Sequence, residues 1–391
     1  MGKEQVQYVD RSGTDCVKWD GLEEKYGRKD LLSMWVADMD FRCPECVHEA
    51  LRKYMECGAY GYNRLYARFN RAFVQWEKER HGYEVKEEWL RYAPGVVPAF
   101  FWCINSMTCP GDHVLVLPPV YYPFFDAVND TGRALVESDL LWDGQTYRMD
   151  YEDIEKKICE KDVKLLLFCS PHNPVGRVWH REELEELAAI CDRHGVILVS
   201  DEIHQDFVFP GSVHTSMGLI RKEKTVVLSA PSKTFNLAGM ATSVAVIPDD
   251  ELREKWDRFI KTIHVSFGNA FGNAFGYIAG EAAYLHGGEW LDELLELIYS
   301  NYQHLRSRLL EKLPLLKISP LEGTYLMWVD FGAYLKKEEM QDFFEDTCKI
   351  ALDYGEWFHG GADTFVRFNL ATKREFIDKA ADILIEALGN R

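Results

Sequence analysis

Short, unbroken apolar runs recur through the middle of the chain, at residues 114–117, 164–169, 196–199, 225–228 and 243–247. Runs this short, bounded by Pro, Gly and Asp, predict strands buried on both faces. Between two of them, residues 181–194 place Leu184, Leu187, Ala188 and Cys191 at helical spacing, and Gly195 follows as a C-cap should. Strand–helix–strand order predicts an α/β fold with a mostly parallel sheet and helices on its faces. Ligands of such sheets sit at the carboxyl ends of the strands.

The pattern changes after residue 287. An amphipathic stretch over 289–313 precedes a strand at 323–330, a helix over 336–346, a strand at 366–370 and a closing helix over 373–388. These predict a smaller α+β domain. The expected division is a large domain at 46–286 and a small one at 287–391, with residues 1–45 joining the small one. A chain of 391 residues exceeds one ordinary core, which agrees with two domains.

Composition removes several function classes. Forty-five basic against 63 acidic residues leave a net charge of −18, which disfavours nucleic acid and anionic membranes as partners. No apolar run reaches transmembrane length, and residues 1–20 lack the apolar core of a signal peptide. Ten scattered cysteines fit reduced thiols, so a cytoplasmic location is expected. Cys43 and Cys46 have CxxC spacing but lack a second ligand pair, so no metal site is expected.

Polar motifs fall where the predicted strands end. Lys233, in Ser229-Ala-Pro-Ser-Lys-Thr-Phe-Asn-Leu-Ala-Gly239, follows the 225–228 run. Desolvation there would lower its pKa and favour an imine with an aldehyde. An exposed loop lysine is the plainer alternative. Asp201 closes the 196–199 run and could face a pyridine nitrogen, with His204 three residues on. A helix cap and a structural histidine account for them equally well. In Ser170-Pro-His-Asn-Pro-Val-Gly176, two prolines and a glycine frame Asn173. Gly95, with the N–H groups of Val96 and Val97 opening an apolar helix, could cradle a phosphate.

In this order, with the aromatic Tyr121, the motifs resemble the fold-type I enzymes of pyridoxal 5′-phosphate (PLP), the aspartate-aminotransferase-like fold with a seven-stranded sheet. Within it the chain is similar to the MalY/PatB group of carbon–sulfur β-lyases, the cystathionine β-lyase type. The similarity is carried by Trp35-Val-Ala-Asp-Met-Asp-Phe41, Tyr60-Gly-Tyr62, Pro119-Val-Tyr-Tyr-Pro-Phe-Phe125, Asp201-Glu-Ile-His204 and Ser232-Lys-Thr-Phe-Asn-Leu-Ala-Gly239. It implies that Lys233 carries the cofactor as a Schiff base and moves the substrate's α proton. It implies that Asp201 pairs with the ring nitrogen, that Asn173 and His204 meet the ring oxygen, and that Tyr121 stacks on the ring. Phosphate would be held by Gly95, Val96, Val97, Ser229 and Ser232, with Tyr62 reaching across a homodimer interface. Arg367 would clamp the substrate carboxylate in the bidentate geometry of guanidinium, near Ala37, Tyr121 and Asn173.

The implied reaction is β-elimination from L-cystathionine or another cysteine S-conjugate, releasing a thiol, pyruvate and ammonia. An aminotransferase needs the same residues, and a PLP-binding protein with a regulatory role is a further alternative. A nicotinamide dehydrogenase is disfavoured because no G-x-G-x-x-G follows the first strand. Two departures stand out. Many aminotransferases have a tyrosine where this chain has His204, and an arginine where it has Ala241.

Overall fold

A computed structural model describes residues 6–265 and 272–389. Its main sheet has seven strands: β1 (Leu90–Ala93), β2 (His113–Val116), β3 (Ala134–Glu137), β4 (Val163–Cys169), β5 (Ile197–Asp201), β6 (Thr225–Ser229) and β7 (Ser243–Val246). They lie in the order β1-β7-β6-β5-β4-β2-β3. Neighbouring pairs from β6 through β3 are parallel, and only β7 runs against its two neighbours. This is the aspartate-aminotransferase-like architecture expected above.

The continuous apolar runs are explained by two cores. Leu165 and Leu167 enter one, with Val199 and Leu228, while Leu166 and Phe168 enter the other, with Leu198 and Val227. Each face of the sheet is thus covered, and no position on β4 from Leu165 onward can be polar without cost. Truncating one such side chain would cost about 2–5 kcal/mol. β1 and β3 were not predicted, since Arg91, Tyr92 and Glu137 break their apolar pattern at half-buried positions.

The central helix is α3 (Arg181–His194), closed by Gly195 at φ 66°, as predicted. The helices that position the site are α1 (Tyr66–His81), α2 (Val96–Met107) and the short α4 (Pro231–Thr234). Beyond them come α5 (Gly288–Lys312) and α6 (Arg374–Leu388). A second sheet is built from β8 (Lys317–Ile318), β9 (Leu326–Asp330), β10 (Asp353–Tyr354) and β11 (Phe365–Asn369), ordered β8-β9-β11-β10. The single helix expected over 336–346 is instead a 3-10 turn, a short α turn and a π turn at Phe343–Thr347. The wider turn lets the adjacent Phe343 and Phe344 both reach the core, where Phe344 meets Phe331 edge-on.

The N-terminal segment joins this second sheet's surroundings. Leu32 and Ser33 pair in parallel with Ile350 and Ala351. Asn369 Nδ2 donates to the carbonyls of Val36 and Asp38 at 2.6 and 2.7 Å. Among the described residues no helix is long and apolar enough to cross a membrane, and no cluster of His, Cys, Asp or Glu could hold a metal.

Candidate active site

Register levels the ends of the central strands: Asp201 lies beside Cys169 on one side and Leu228 on the other. The loops that follow therefore open on one cavity. It is lined by Ala37, Gly95, Val96, Val97, Tyr121, Asn173, Asp201, His204, Ser232 and Lys233, all singled out in the sequence. Larger hollows exist elsewhere, between α1 and the residues around Trp256 and beside Cys46, but neither gathers such a set.

Lys233 stands in α4, one turn beyond the end of β6, where Pro231 opens the helix. Its Nζ donates to the Ala37 carbonyl at 2.5 Å. Burial lowers its pKa to about 8, and the Arg367 charge acts in the same direction against Asp38 and Asp201. The amine is thus easily neutral, as an imine-forming nucleophile must be. Asp201 is buried at the end of β5, and burial pushes its carboxyl up to about 7 although the Ile203 N–H, 3.1 Å from Oδ1, favours the anion. Among the described residues no cation forms an ion pair with it, although the Lys233 charge favours the anion, and a pyridinium nitrogen would supply such a partner.

Gly95 precedes α2 with an extended backbone at φ 161°, which any residue can adopt. A Cβ there would make only an ordinary contact with the Pro98 side chain at 3.4 Å, so neither conformation nor packing demands glycine at this lining position. The first turn of α2 contains no acid, so the Val96 and Val97 N–H groups can take an anion. Ser232 and Thr242 belong to the same lining, the Thr242 hydroxyl donating to the Met240 carbonyl at 3.0 Å. Ala241 stands where an arginine was sought, in a left-handed turn at φ 44°.

Asn173 is held in a loop closed by Gly176, whose N–H bonds the His172 carbonyl at 2.8 Å. Gly176 has φ 76°, and a Cβ there would press on the Pro320 carbonyl at 3.2 Å, so both conformation and space require glycine. Asn173 Oδ1 accepts from Arg367 Nη1 at 2.8 Å. Arg367 comes from β11, is buried, and pairs through Nη2 with the buried Asp353. His204 is buried, faces Tyr325 at 5.7 Å, and its Nδ1 has no partner among the described residues. Burial and the Lys233 and Arg367 charges hold its pKa well below the ordinary range, so it is a neutral ring.

Three expected residues fall outside this lining: Ser229, Tyr62 and Arg367, the last of which meets it through its bond to Asn173. The Ser229 hydroxyl is buried beneath it and accepts from Gln205 Nε2 at 3.0 Å, because it ends β6 on the side facing α1. Tyr62 is 81% exposed on the 57–65 loop, away from its own chain's cavity. Conversely, Thr242, Ile203 and Ala238 line the cavity without having been singled out. Only the position of Thr242, one residue after the sought arginine, could have signalled it.

A lysine, an acid and an asparagine at the strand ends of this fold, with an arginine from a second sheet, define an α/β enzyme acting on amino acids. The chain belongs to the family described as aminotransferase class I and II, which it matches over residues 29–384. It is 40% identical over 364 residues to cystathionine beta-lyase PatB of Bacillus subtilis, covering 92% of this chain and 93% of that protein. The structure is similar to a PLP-bound putative aminotransferase from Clostridium difficile, with TM-score 0.94, 40% identity and 98% of both chains covered. It is also similar to cystalysin from Treponema denticola, which contains pyridoxal 5′-phosphate, with TM-score 0.93, 34% identity and both chains fully covered.

Proposed function

We propose that this chain is a PLP-dependent carbon–sulfur β-lyase that takes L-cystathionine or related cysteine S-conjugates to a thiol, pyruvate and ammonia. The observation that carries the reading is a lysine amine and a buried acid sharing one cavity, on a chain 40% identical to a cystathionine β-lyase. The residues fit the cofactor at each end. The α2 N-terminus with Gly95, Ser232 and Thr242 suits a phosphate, Asp201 suits a pyridinium, Tyr121 offers a ring face and Lys233 an amine.

When bound, PLP supplies an aldehyde for the amine and a ring that accepts electrons from the substrate's α carbon. Asp201 keeps the ring nitrogen protonated. Arg367 and Asn173 hold the substrate carboxylate, and the bonds of Arg367 to Asn173 and Asp353 fix the guanidinium beforehand. Lys233 Nζ, beside the Ala37 carbonyl, would take the α proton; the Cα–H electrons would form the Cα–Cβ double bond as the Cβ–S pair leaves with sulfur, and water would then release pyruvate and ammonia. His204, an uncharged ring in the lining, would meet the ring oxygen. In a homodimer Tyr62 reaches the neighbouring chain's phosphate. Residues 46–286 would form the large domain and residues 287–391, joined by 1–45, the small one, and the enzyme would work in the cytoplasm.

Cystathionine should give pyruvate with the wild-type protein and none with Lys233→Ala, and borohydride should trap the cofactor on the peptide containing Lys233. Near-normal pyruvate from Lys233→Ala would overturn the reading. Amino transfer requires the same groups, and the similar Clostridium difficile protein is described as a putative aminotransferase. Keto-acid-dependent transfer faster than pyruvate release would favour it.

A further inference from the structure

The 201–207 loop has two faces. Asp201 and His204 line the cavity, whereas Glu202, Gln205 and Asp206 are buried behind it in a polar layer with Glu77, His81 and His214. Three ties run from this loop to the chain that leads into Lys233. The Glu202 N–H donates to the Leu228 carbonyl at 2.8 Å. Gln205 Nε2 donates to Ser229 Oγ at 3.0 Å. Thr234 Oγ1 donates to Asp206 Oδ2 at 2.6 Å. The last is the only one of the three to reach α4, and Thr234 is one peptide bond from Lys233.

Asp206 is itself anchored. Its Oδ1 accepts from Trp76 Nε1 at 3.0 Å and lies 2.9 Å from His81 Nε2, both on α1. A buried carboxylate costs several kcal/mol unless it is fully bonded. Here burial is outweighed by the His81 bond and charge, with Thr234 and Trp76 adding to them, so Asp206 remains an anion. His81 is correspondingly raised to about 9 despite burial, so the two form an ion pair. A rigid, charged acceptor is therefore fixed to a long helix, with its remaining oxygen aimed at the lysine-bearing turn.

We infer that Asp206 is a positioning residue which, through the Thr234 hydroxyl, sets Lys233 at its working distance from Asp201. The inference rests on the function proposed above. Asp201 ends β5 whereas Lys233 stands in α4 beyond the adjacent β6, so a shift of α4 would move the amine against the acid. Misplacement by about 1 Å can cost about a hundredfold in rate.

The test compares Thr234→Val, which removes the hydroxyl and keeps the shape, with Thr234→Ser, which restores it; Thr234→Ala serves if the valine does not fold. Cofactor-free protein is mixed with PLP and the rise of visible absorbance followed. kcat, KM and the isotope effect of α-deuterated cystathionine are then measured on the loaded protein. We expect Thr234→Val to lose about tenfold or more in kcat, with KM little changed, a larger isotope effect and slower cofactor capture. Thr234→Ser should recover all of these. Wild-type kcat and capture in Thr234→Val, or no recovery in Thr234→Ser, would overturn the role of the hydroxyl. Failure of the wild-type protein to capture PLP would instead overturn the proposed function, and this inference with it.

Discussion

Arg367 on the second sheet donates a 2.8 Å hydrogen bond to Asn173 at the carboxyl end of the main sheet, 194 residues away in the chain. The contact joins the proposed carboxylate clamp to the strand-end cavity. It also leaves the guanidinium oriented before any substrate arrives, since Asp353 holds its other side.

Arg367→Lys should therefore lower kcat/KM by about a hundredfold, mainly through KM, because an ammonium cannot make the two-pronged contact. Folding stability should fall less, because a cation still faces Asp353. Arg367→Ala should do worse on both counts: it strands a buried carboxylate, at a cost of about 3–5 kcal/mol. Steady-state kinetics with denaturant melts would show the split, and equal melting losses in the two variants would contradict it.

Asp201 gives the cofactor-free protein a pH signature. Its folded pKa of about 7 lies above the ordinary 3.8, so the native state binds a proton that the unfolded chain gives up. The stabilising contribution is present below about pH 4 and is lost as pH rises through 7. Glu77, buried and also raised to about 7, acts with the same sign. Melting temperature should fall across this window, and Asp201→Asn should flatten the slope in part. An unchanged slope in that variant would refute the assignment. The same substitution in the loaded enzyme should sharply lower kcat by removing the acid that pairs with the ring nitrogen.

Tyr62 is exposed on its own chain, which is what a residue serving a neighbour requires. Lys233→Ala and Tyr62→Ala chains should each be impaired alone. After unfolding and refolding together, hybrid dimers should regain activity, because one of their two sites unites an intact Lys233 with an intact Tyr62. If mixing restores nothing, Tyr62 has no role across an interface.

Much of the site was legible because strand ends carry their chemistry in short words. Lys233, Asp201 and Asn173 each follow an apolar run, and parallel register alone brings them together. Gly176 could be read from its turn. What could not be read was sidedness beyond the strand ends. Ser229 is two residues before Pro231 in sequence, yet its hydroxyl faces Gln205 rather than the cavity. Thr242 lines the cavity after a left-handed turn at Ala241 that no periodicity announces. Likewise β1 and β3, half-buried, lacked the apolar runs that identified the central strands.

The N-terminal segment that supplies the Ala37 carbonyl depends on a fully buried ion pair. Lys18 Nζ lies 2.7 Å from Asp40 Oδ2, and both side chains are inaccessible to solvent. Asp40 is the hub: Oδ1 also accepts from Trp19 Nε1 at 2.9 Å, and Oδ2 from Thr372 Oγ1 at 2.7 Å. Removing the hub takes an acceptor from the buried Lys18 and Thr372 and from the half-buried Trp19, leaving the Lys18 cation only the Asp38 carbonyl at 3.2 Å, whereas removing the lysine leaves the carboxylate two donors. Asp40→Leu should therefore cost about 3–5 kcal/mol or more, and Lys18→Met clearly less. Because Asp40 is three residues beyond Ala37 on the same segment, the Asp40 variant should also lose kcat at temperatures where it remains folded. Urea unfolding of both variants decides the order; a Lys18→Met protein less stable than Asp40→Leu would show that the lysine, not the carboxylate, organises this segment.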